Sequence, residues 1–533
     1  MAIDTTQHTF RKTGFAALLL SILLFIVLFV VSYPYYRYYI DPDAVAYLTI
    51  AHRYATGDIL RAVNGLWSPF HPFLVSFFMR HGVDGLFAAH ITNAMACMGI
   101  ITGMFFMFRR FRIDVVIATT LLAVLPVFLV YCVYMQLFDD LWQIVFLLAY
   151  LLIICSRHFP ATWWKWILCG IVGAFAFFAK TYSFYFIVLH LAVTIALLNK
   201  AQGKPLFSHV KTYAVVLLTM LLIMSPWIYL MHLKYGGWAI SNAGAINGSW
   251  TITGHKTFKE GINHLIPPPY FDSPYSMEDP SVNEGHLYTV WQSPQLFFMQ
   301  FVRSSYAFMQ AFFTMGQLSF FLFSILVATG ITMFTKKMQP FFQTDHKILF
   351  AASLIIPLGY LAMHFEPRYI WLMVYTSMIL GSTWLMLLKN YLTPRPYYLL
   401  VALFALSYIT YPIYDMKNLL NKGKDVYMEA QEINKLHLQG TFTSNESANR
   451  CPVTALLTHM PYYTIEHFDF SHQVLLAEMR RYRVNYYFFY FKPLDGQAVD
   501  LRDEHDRPFP EVTRNAIPGL KIFLVDPYIN RKK

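Results

Sequence analysis

The chain has 533 residues, of which 56% are apolar, 18% aromatic and only 13% charged. A soluble domain carries about a quarter charged residues, so this balance, with a mean hydropathy of +0.42, excludes a soluble globular protein, a disordered chain and a disulfide scaffold. The net charge of +11 reads as cytoplasmic loop anchors of a membrane protein rather than as a nucleic-acid surface. Cys97, Cys132, Cys155 and Cys169 lie in apolar runs and Cys451 stands outside them. No disulfide framework or metal-ligand spacing follows from these positions.

Taken in chain order, Arg11 and Lys12 precede an apolar run from Gly14 to Tyr33. It is long enough to span a bilayer, longer than a signal-peptide core, and no small-residue cleavage site follows it, so an uncleaved first helix is expected. The whole chain reads as mainly α, a polytopic transmembrane helical bundle of about 11 spans at 14–33, 86–108, 114–134, 141–156, 164–179, 183–198, 213–232, 312–334, 347–363, 369–388 and 397–414. With the N-terminus inside, every even-numbered connection is basic: Arg109, Arg110 and Arg112, then Arg157 and Lys165, Lys200 to Lys211, Lys336 to Lys347, and Lys389 with Arg395. The positive-inside rule therefore places the remaining connections and the C-terminal tail outside.

Three outer segments are large. In the first, 34–85, Asp41-Pro42 opens a helix that ends near Gly57: Asp at the N-cap, Pro in the first turn. A second short apolar helix runs from Pro69 to Met79. Both are too short to span and are expected in the interface. The second segment, 234–295, is long and rich in Gly, Pro, Asn and Trp, as a lid, a binding element or a disordered loop would be. Residues 1–414 thus form the transmembrane module, and 415–533 a small outer α/β domain. In that domain CPVTALL, VNYYFFYF and LKIFLVD read as strands and SHQVLLAEMRRYR as a helix.

Ionisable groups beside a bilayer are costly and mark function. Asp41, Asp43, Asp139, Asp140, Lys180, Glu366 and Arg368 all fall at outer connections, and Arg61 adds a cation in the first outer loop. Asp41 has a structural role as N-cap. Asp43 lies in the first turn, with Tyr47 four residues on along the same face. A helix N-terminus stabilises a carboxylate, so Asp43 is expected to stay ionised and to serve as a base. Asp139 and Asp140 open the fourth span, either to orient an acceptor or share a metal, or to complement the helix dipole. Lys180, beside Tyr182, reaches for a phosphate or snorkels. Glu366 and Arg368 either pair with each other or leave the guanidinium for a phosphate, with Tyr369 adjacent. A basic outer face with embedded acids suits an anionic lipid-phosphate ligand. His255, His264 and His286 in the long loop match no metal motif.

The string IDPDAVAYLTIAHRYATGDILRAVNGLWSPFHPFL at 40–74 resembles the first outer loop of the GT-C superfamily of polyprenyl-phosphate-sugar-dependent glycosyltransferases, which includes the protein O-mannosyltransferases and the lipid A aminoarabinose transferases. FDD at 138–140, FAKTY at 178–182 and EPRYI at 366–370 look like three further motifs of that superfamily. Ala44 departs from the Glu that those two groups carry after the catalytic acid. The resemblance implies transfer of a sugar from a polyprenyl-phosphate donor to a hydroxyl acceptor (a lipid-linked glycan, lipopolysaccharide or protein), with inversion. The site would face the periplasm of a bacterial inner membrane. It places the base on Asp43, with Asp139 and Asp140 in support. Arg368 and Lys180, and with less weight Arg61, would hold the phosphate, and Tyr47, Asp41, Glu366, Tyr369 and Tyr182 would complete the pocket. A divalent metal is compatible but not demanded, no other cofactor is implied, and the partners are membrane lipids, donor and acceptor. A transporter or flippase using the same charges is the alternative reading.

Overall fold

The computed structural model describes residues 2–135, 137, 139–205, 208–261, 264–313, 321–335, 341–446, 449–465, 471–491 and 501–527. The chain is mainly helical and an integral membrane protein: among the described residues eight helices are long and apolar enough to cross a bilayer, and three further apolar helices are shorter.

The first long helix, α1 (Ala2–Tyr36), leads directly into the expected short one, α2 (Pro42–Thr56). Asp41 has extended backbone and its Oδ1 accepts the Ala44 N–H at 3.0 Å, so one orphan donor of the first turn is satisfied. Gly57 ends the helix at φ +85°, a left-handed conformation that a β-carbon disfavours. A single turn, α3 (Ile59–Ala62), precedes α4 (Phe70–Arg80), which packs across α2. The bundle continues with α5 (Gly85–Arg110), α6 (Val115–Met135), α7 (Asp140–Ile154), α8 (Trp163–Ala179), α9 (Tyr182–Ala201) and α10 (Val210–Tyr235).

The 234–295 segment is not an unstructured flap. It holds α11 (Ala243–Thr253), β1 (Leu265–Ile266) and α12 (Pro280–Asn283), and a strap at 270–279 is bolted to the first outer loop. Arg53 of α2 grips Asp272 through two bonds at 2.7 and 2.8 Å and Glu278 at 2.9 Å. Lys234 pairs with Asp279, which also accepts from the Tyr235 hydroxyl at 2.8 Å and the Tyr270 hydroxyl at 3.1 Å. Asn64 and Trp67 donate to the carbonyls of Glu278 and Met277 at 2.6 and 2.8 Å.

A helix then appears where no element is expected, α13 (Pro294–Phe313), amphipathic and with much of its aromatic face exposed. The span expected at 312–334 is observed as α14 (Leu322–Phe334), and residues 314–320 lie outside the described residues. The span expected at 347–363 is broken at Pro357 into α15 (Thr344–Ile355) and α16 (Leu358–Ala362), because a proline cannot continue the hydrogen-bond ladder. Tyr182 repairs the break: its hydroxyl donates to the Ile356 carbonyl at 2.9 Å and accepts the Gly359 N–H at 3.1 Å. Gly359 is needed there, since a β-carbon would lie 2.2 Å from the Tyr182 ring. After α17 (Trp371–Leu388), the last expected span is also interrupted, as α18 (Pro394–Leu406) and α19 (Thr410–Leu419).

Beyond α20 (Lys424–Lys435) come β2 (Phe442–Ser444), α21 (Cys451–Thr458), β3 (Thr464–Ile465), α22 (His472–Arg481), β4 (Tyr486–Tyr490) and β5 (Leu520–Leu524). CPVTALL is therefore a helix and not a strand. A short apolar run does not declare its period, and Pro452 in the first turn suits a helix start. The expected helix and the other two expected strands are present. The sheet order is β2-β4-β5, with β2 parallel and β5 antiparallel to β4. Separately, β1 of the lid pairs antiparallel with β3, Leu265 opposite Ile465 and Ile266 opposite Thr464.

Removing one partner of a buried ionic cluster strands the others, at a cost of about 3–5 kcal/mol. Arg53→Leu leaves Glu278, 1% exposed, without its guanidinium. The expected outcome is a lower melting temperature in detergent and faster proteolysis within 255–290, read by mass spectrometry of the fragments.

Candidate active site

At the end of the bundle where α1 passes into α2, one cavity of about 1400 Å³ collects Asp41, Asp43, Asp139, Asp140 and Glu366 together with Lys180, Lys256 and Arg368. These groups come from five separate stretches of the chain. Tyr47, Tyr182 and Tyr369 line the same space.

Local backbone chemistry aims each group. Asp140 is the first residue of α7 and Asp43 lies in the first turn of α2, so both carboxylates sit at positive helix ends. Lys180 follows the last residue of α8 in extended backbone, a cation at a negative helix end. Arg368 sits in a single 3-10 turn, Pro367–Ile370, entered through extended Glu366.

Arg368 is the hub. Its Nε lies 2.8 Å from Glu366 Oε2, its Nη2 3.8 Å from Asp43 Oδ2 and its Nη1 3.8 Å from Asp140 Oδ2. Lys180 pairs with Asp140 Oδ1 and stands 4.2 Å above the Tyr369 ring, which the Arg368 guanidinium also covers at 5.1 Å. The rings of Tyr369 and Tyr360 stack at 4.5 Å. Glu366 Oε1 lies 3.1 Å from His364 Nε2 and accepts the Tyr369 hydroxyl at 3.2 Å. The Tyr47 hydroxyl donates to Asp139 Oδ2 at 3.0 Å. Asp139 and Asp140, adjacent in sequence, thus serve different partners.

Burial dominates Asp41, Asp43 and Asp139. It raises the pKa of Asp43, with Arg368 pulling the other way and Glu366 adding to the rise. The expectation of a readily ionised Asp43 rested on the helix end alone and left this desolvation out. Burial, with Asp43 beside it, pushes Asp41 up to about 7, and burial, opposed by Lys180, pushes Asp139 up to about 6. Glu366 goes the other way: Arg368 and His364 together outweigh its burial and hold it well below the usual carboxylate range. Asp43 is 39% exposed, yet it is a wall of the cavity, so that exposure looks into enclosed space.

Arg61 is not brought to this site. It lies beside Asp58 and Asp272 at 3.5 and 3.7 Å and covers the rings of Tyr270 and Phe271, at the outer edge of the strap. Phe138 of the FDD motif lies outside the described residues. Lys256, Trp67, Trp250, Tyr275 and Tyr288 line the cavity without having stood out in the sequence. Lys256 was masked by its loop of scattered polar residues. The Tyr275 hydroxyl donates to the Pro42 carbonyl, next to Asp43. Asn449 and Thr464, from the C-terminal elements, also reach the wall. Among the described residues no three ligating side chains converge as a metal site would require.

Residues 67–230 match the sequence model of the dolichyl-phosphate-mannose-protein mannosyltransferase family. No curated protein sequence matches the chain. Its fold is shared with the crystal structures of ArnT from Cupriavidus metallidurans. The structure bound to undecaprenyl phosphate aligns with TM-score 0.55 at 13% identity, over 95% of this chain and 98% of that one. The apo structure aligns with TM-score 0.54 at 14% identity, over 91% and 94%. The likeness to GT-C glycosyltransferases read from the short motifs is borne out by the family match and by this shared fold.

A carboxyl whose folded pKa is raised loses stability as pH climbs from its ordinary value toward the raised one. For Asp41 that window runs from 3.8 to about 7. Asp41→Asn keeps an N-cap acceptor and removes the buried charge. Its melting temperature is expected to exceed the native protein's by about 2–4 °C above pH 7, with the difference fading on acidification; thermal scans at several pH values check this.

Proposed function

We propose that the protein is a membrane glycosyltransferase that moves a sugar, with inversion, from a polyprenyl-phosphate donor to a hydroxyl acceptor at the non-cytoplasmic face, with Asp43 as base and Arg368 and Lys180 as the phosphate cations. The observation that carries the reading is the convergence of Asp43, Asp140, Lys180 and Arg368 on one cavity, within the fold that ArnT shows with undecaprenyl phosphate bound. The positive-inside pattern supports the sidedness, since the cavity lies at the end away from the basic connections.

The chemistry follows from the charges. The acceptor oxygen attacks the anomeric carbon, the bond from that carbon to the phosphate oxygen breaks, and the acceptor proton passes to the Asp43 carboxylate. Attack opposite the departing phosphate inverts the anomeric configuration. Negative charge grows on the polyprenyl phosphate as it leaves. A guanidinium and an ammonium already fixed over the Tyr369 ring meet it without reorganisation. Asp140 ties the two cations together, since it pairs with Lys180 and lies 3.8 Å from Arg368. Asp139 receives the Tyr47 hydroxyl at 3.0 Å and orients the base helix against α7. Tyr182 acts on the framework, through its repair of the Pro357 break. Trp250, Tyr288, Asn449 and Thr464, from the long segment and the C-terminal elements, line the same cavity and are assigned in this reading to acceptor selection. The charges gather at one end of the bundle, which supports transfer at a face over passage through the membrane.

Asp43→Asn removes the proton acceptor while preserving shape. The expected outcome is a fall in kcat of roughly 10²–10⁴-fold with donor binding kept, measured as label transfer from an undecaprenyl-phosphate sugar in proteoliposomes. Full turnover in that variant would falsify the assignment. In the native protein, turnover is expected to fall on acidification at pH values above the usual carboxylate range, because burial raises the Asp43 pKa and only the ionised form accepts a proton.

A further inference from the structure

A buried guanidinium keeps its charge at every accessible pH. Arg368 is 7% exposed, so the substrate-free site needs an anion against it. Of the three carboxylates paired with it, Asp43 and Asp140 stand off at 3.8 Å, whereas Glu366 Oε2 is at 2.8 Å from Nε. We infer that Glu366 is a built-in stand-in for the donor phosphate, holding Arg368 in the empty site and yielding it when the lipid phosphate arrives. This rests on the glycosyl-transfer reading above.

Three features of the structure support an exchange over a permanent pair. The first is the charge count. Asp41, Asp43, Asp139, Asp140 and Glu366 face Lys180, Lys256 and Arg368 in one cavity. Asp41 and Asp139 are pushed toward neutrality, but Asp140 and Glu366 already occupy Lys180 and Arg368, so an entering phosphate competes with a carboxylate for either cation. The second is that Glu366 has somewhere to stay. Its other oxygen is already held by the Tyr369 hydroxyl at 3.2 Å and faces His364 Nε2 at 3.1 Å, so losing the guanidinium does not leave a bare buried charge. The third is room. A second cavity, of about 270 Å³, is lined by Glu366, Pro367 and Arg368 together with Asp415, Asn418 and Lys422. Glu366 and Arg368 line both cavities, and neither Asp43 nor Lys180 lines the smaller one, so it offers the carboxylate space that those groups do not border. Asp140 is a poorer candidate for the exchange, because it also neutralises Lys180.

The inference has a sign that a structural role would not produce: removing the carboxylate strengthens ligand binding. Glu366→Gln keeps the side chain's shape and an acceptor for Tyr369. In the full-length protein in nanodiscs, undecaprenyl phosphate is expected to bind roughly tenfold tighter to this variant, the scale of one close ion pair released from competition. The KM for an undecaprenyl-phosphate sugar should fall, while kcat should not rise. Undecaprenol, which lacks the phosphate, should show no gain. Glu366→Asp, which withdraws the carboxylate by one methylene, should show a smaller gain of the same sign and serves if the amide variant folds poorly. Equal or weaker binding by both variants, or an equal gain with undecaprenol, overturns the role of Glu366 while leaving the glycosyl-transfer reading in place. Failure of the native protein to bind undecaprenyl phosphate at all overturns that reading and this inference together.

Discussion

The arrangement at the end of the bundle depends on one constraint, a guanidinium that cannot discard its charge enclosed where water is scarce. Placing Arg368 there obliges carboxylates to gather around it, and Glu366, Asp43 and Asp140 do so from three different elements. Asp140 in turn draws in Lys180, and the Tyr369 ring lies under both cations. Each acid is expensive alone and tolerable as a member of the set. The tuning of the acids follows: Glu366, nearest the guanidinium, is held acidic, whereas Asp41 and Asp139, farther from compensating charge, are pushed toward neutrality.

A second ionic cluster, around Arg53 and Lys234, does a different job with the same chemistry. Its carboxylates belong to the strap and its cations to α2 and α10. It converts a long loop into a wall, and through the Tyr275 hydroxyl that wall touches the carbonyl of Pro42, one residue before the proposed base. Helix α2 is therefore gripped from both ends, by the strap at Arg53 and by the cavity's charges at Asp43.

Much of this was legible in the order of residues. The N-cap Asp41, the terminating Gly57, the apolar runs of the bundle and the acids and bases at its outer connections are local signals, and local signals survive folding. What was not legible depends on distance. Nothing near Arg61 says that it serves the strap instead of the cavity, because its partner Asp272 lies more than 200 positions away. Lys256 sits in a loop whose composition has no period to betray a direction. Tyr182 was noticed for standing near Lys180, yet its hydroxyl mends a helix broken by a proline far along the chain. CPVTALL misled because seven apolar-rich residues fit a strand or two helical turns equally well. The raised pKa of Asp43 needed burial, which a helix-end argument does not contain.

The pairing of Leu265–Ile266 with Thr464–Ile465 joins the middle of the chain to its last quarter. Thr464 is itself a lining residue of the chamber, so this two-residue ladder ties the long segment to the cavity wall, and a change at Leu265 or Ile266 reaches the chamber through the strand that holds Thr464 in it.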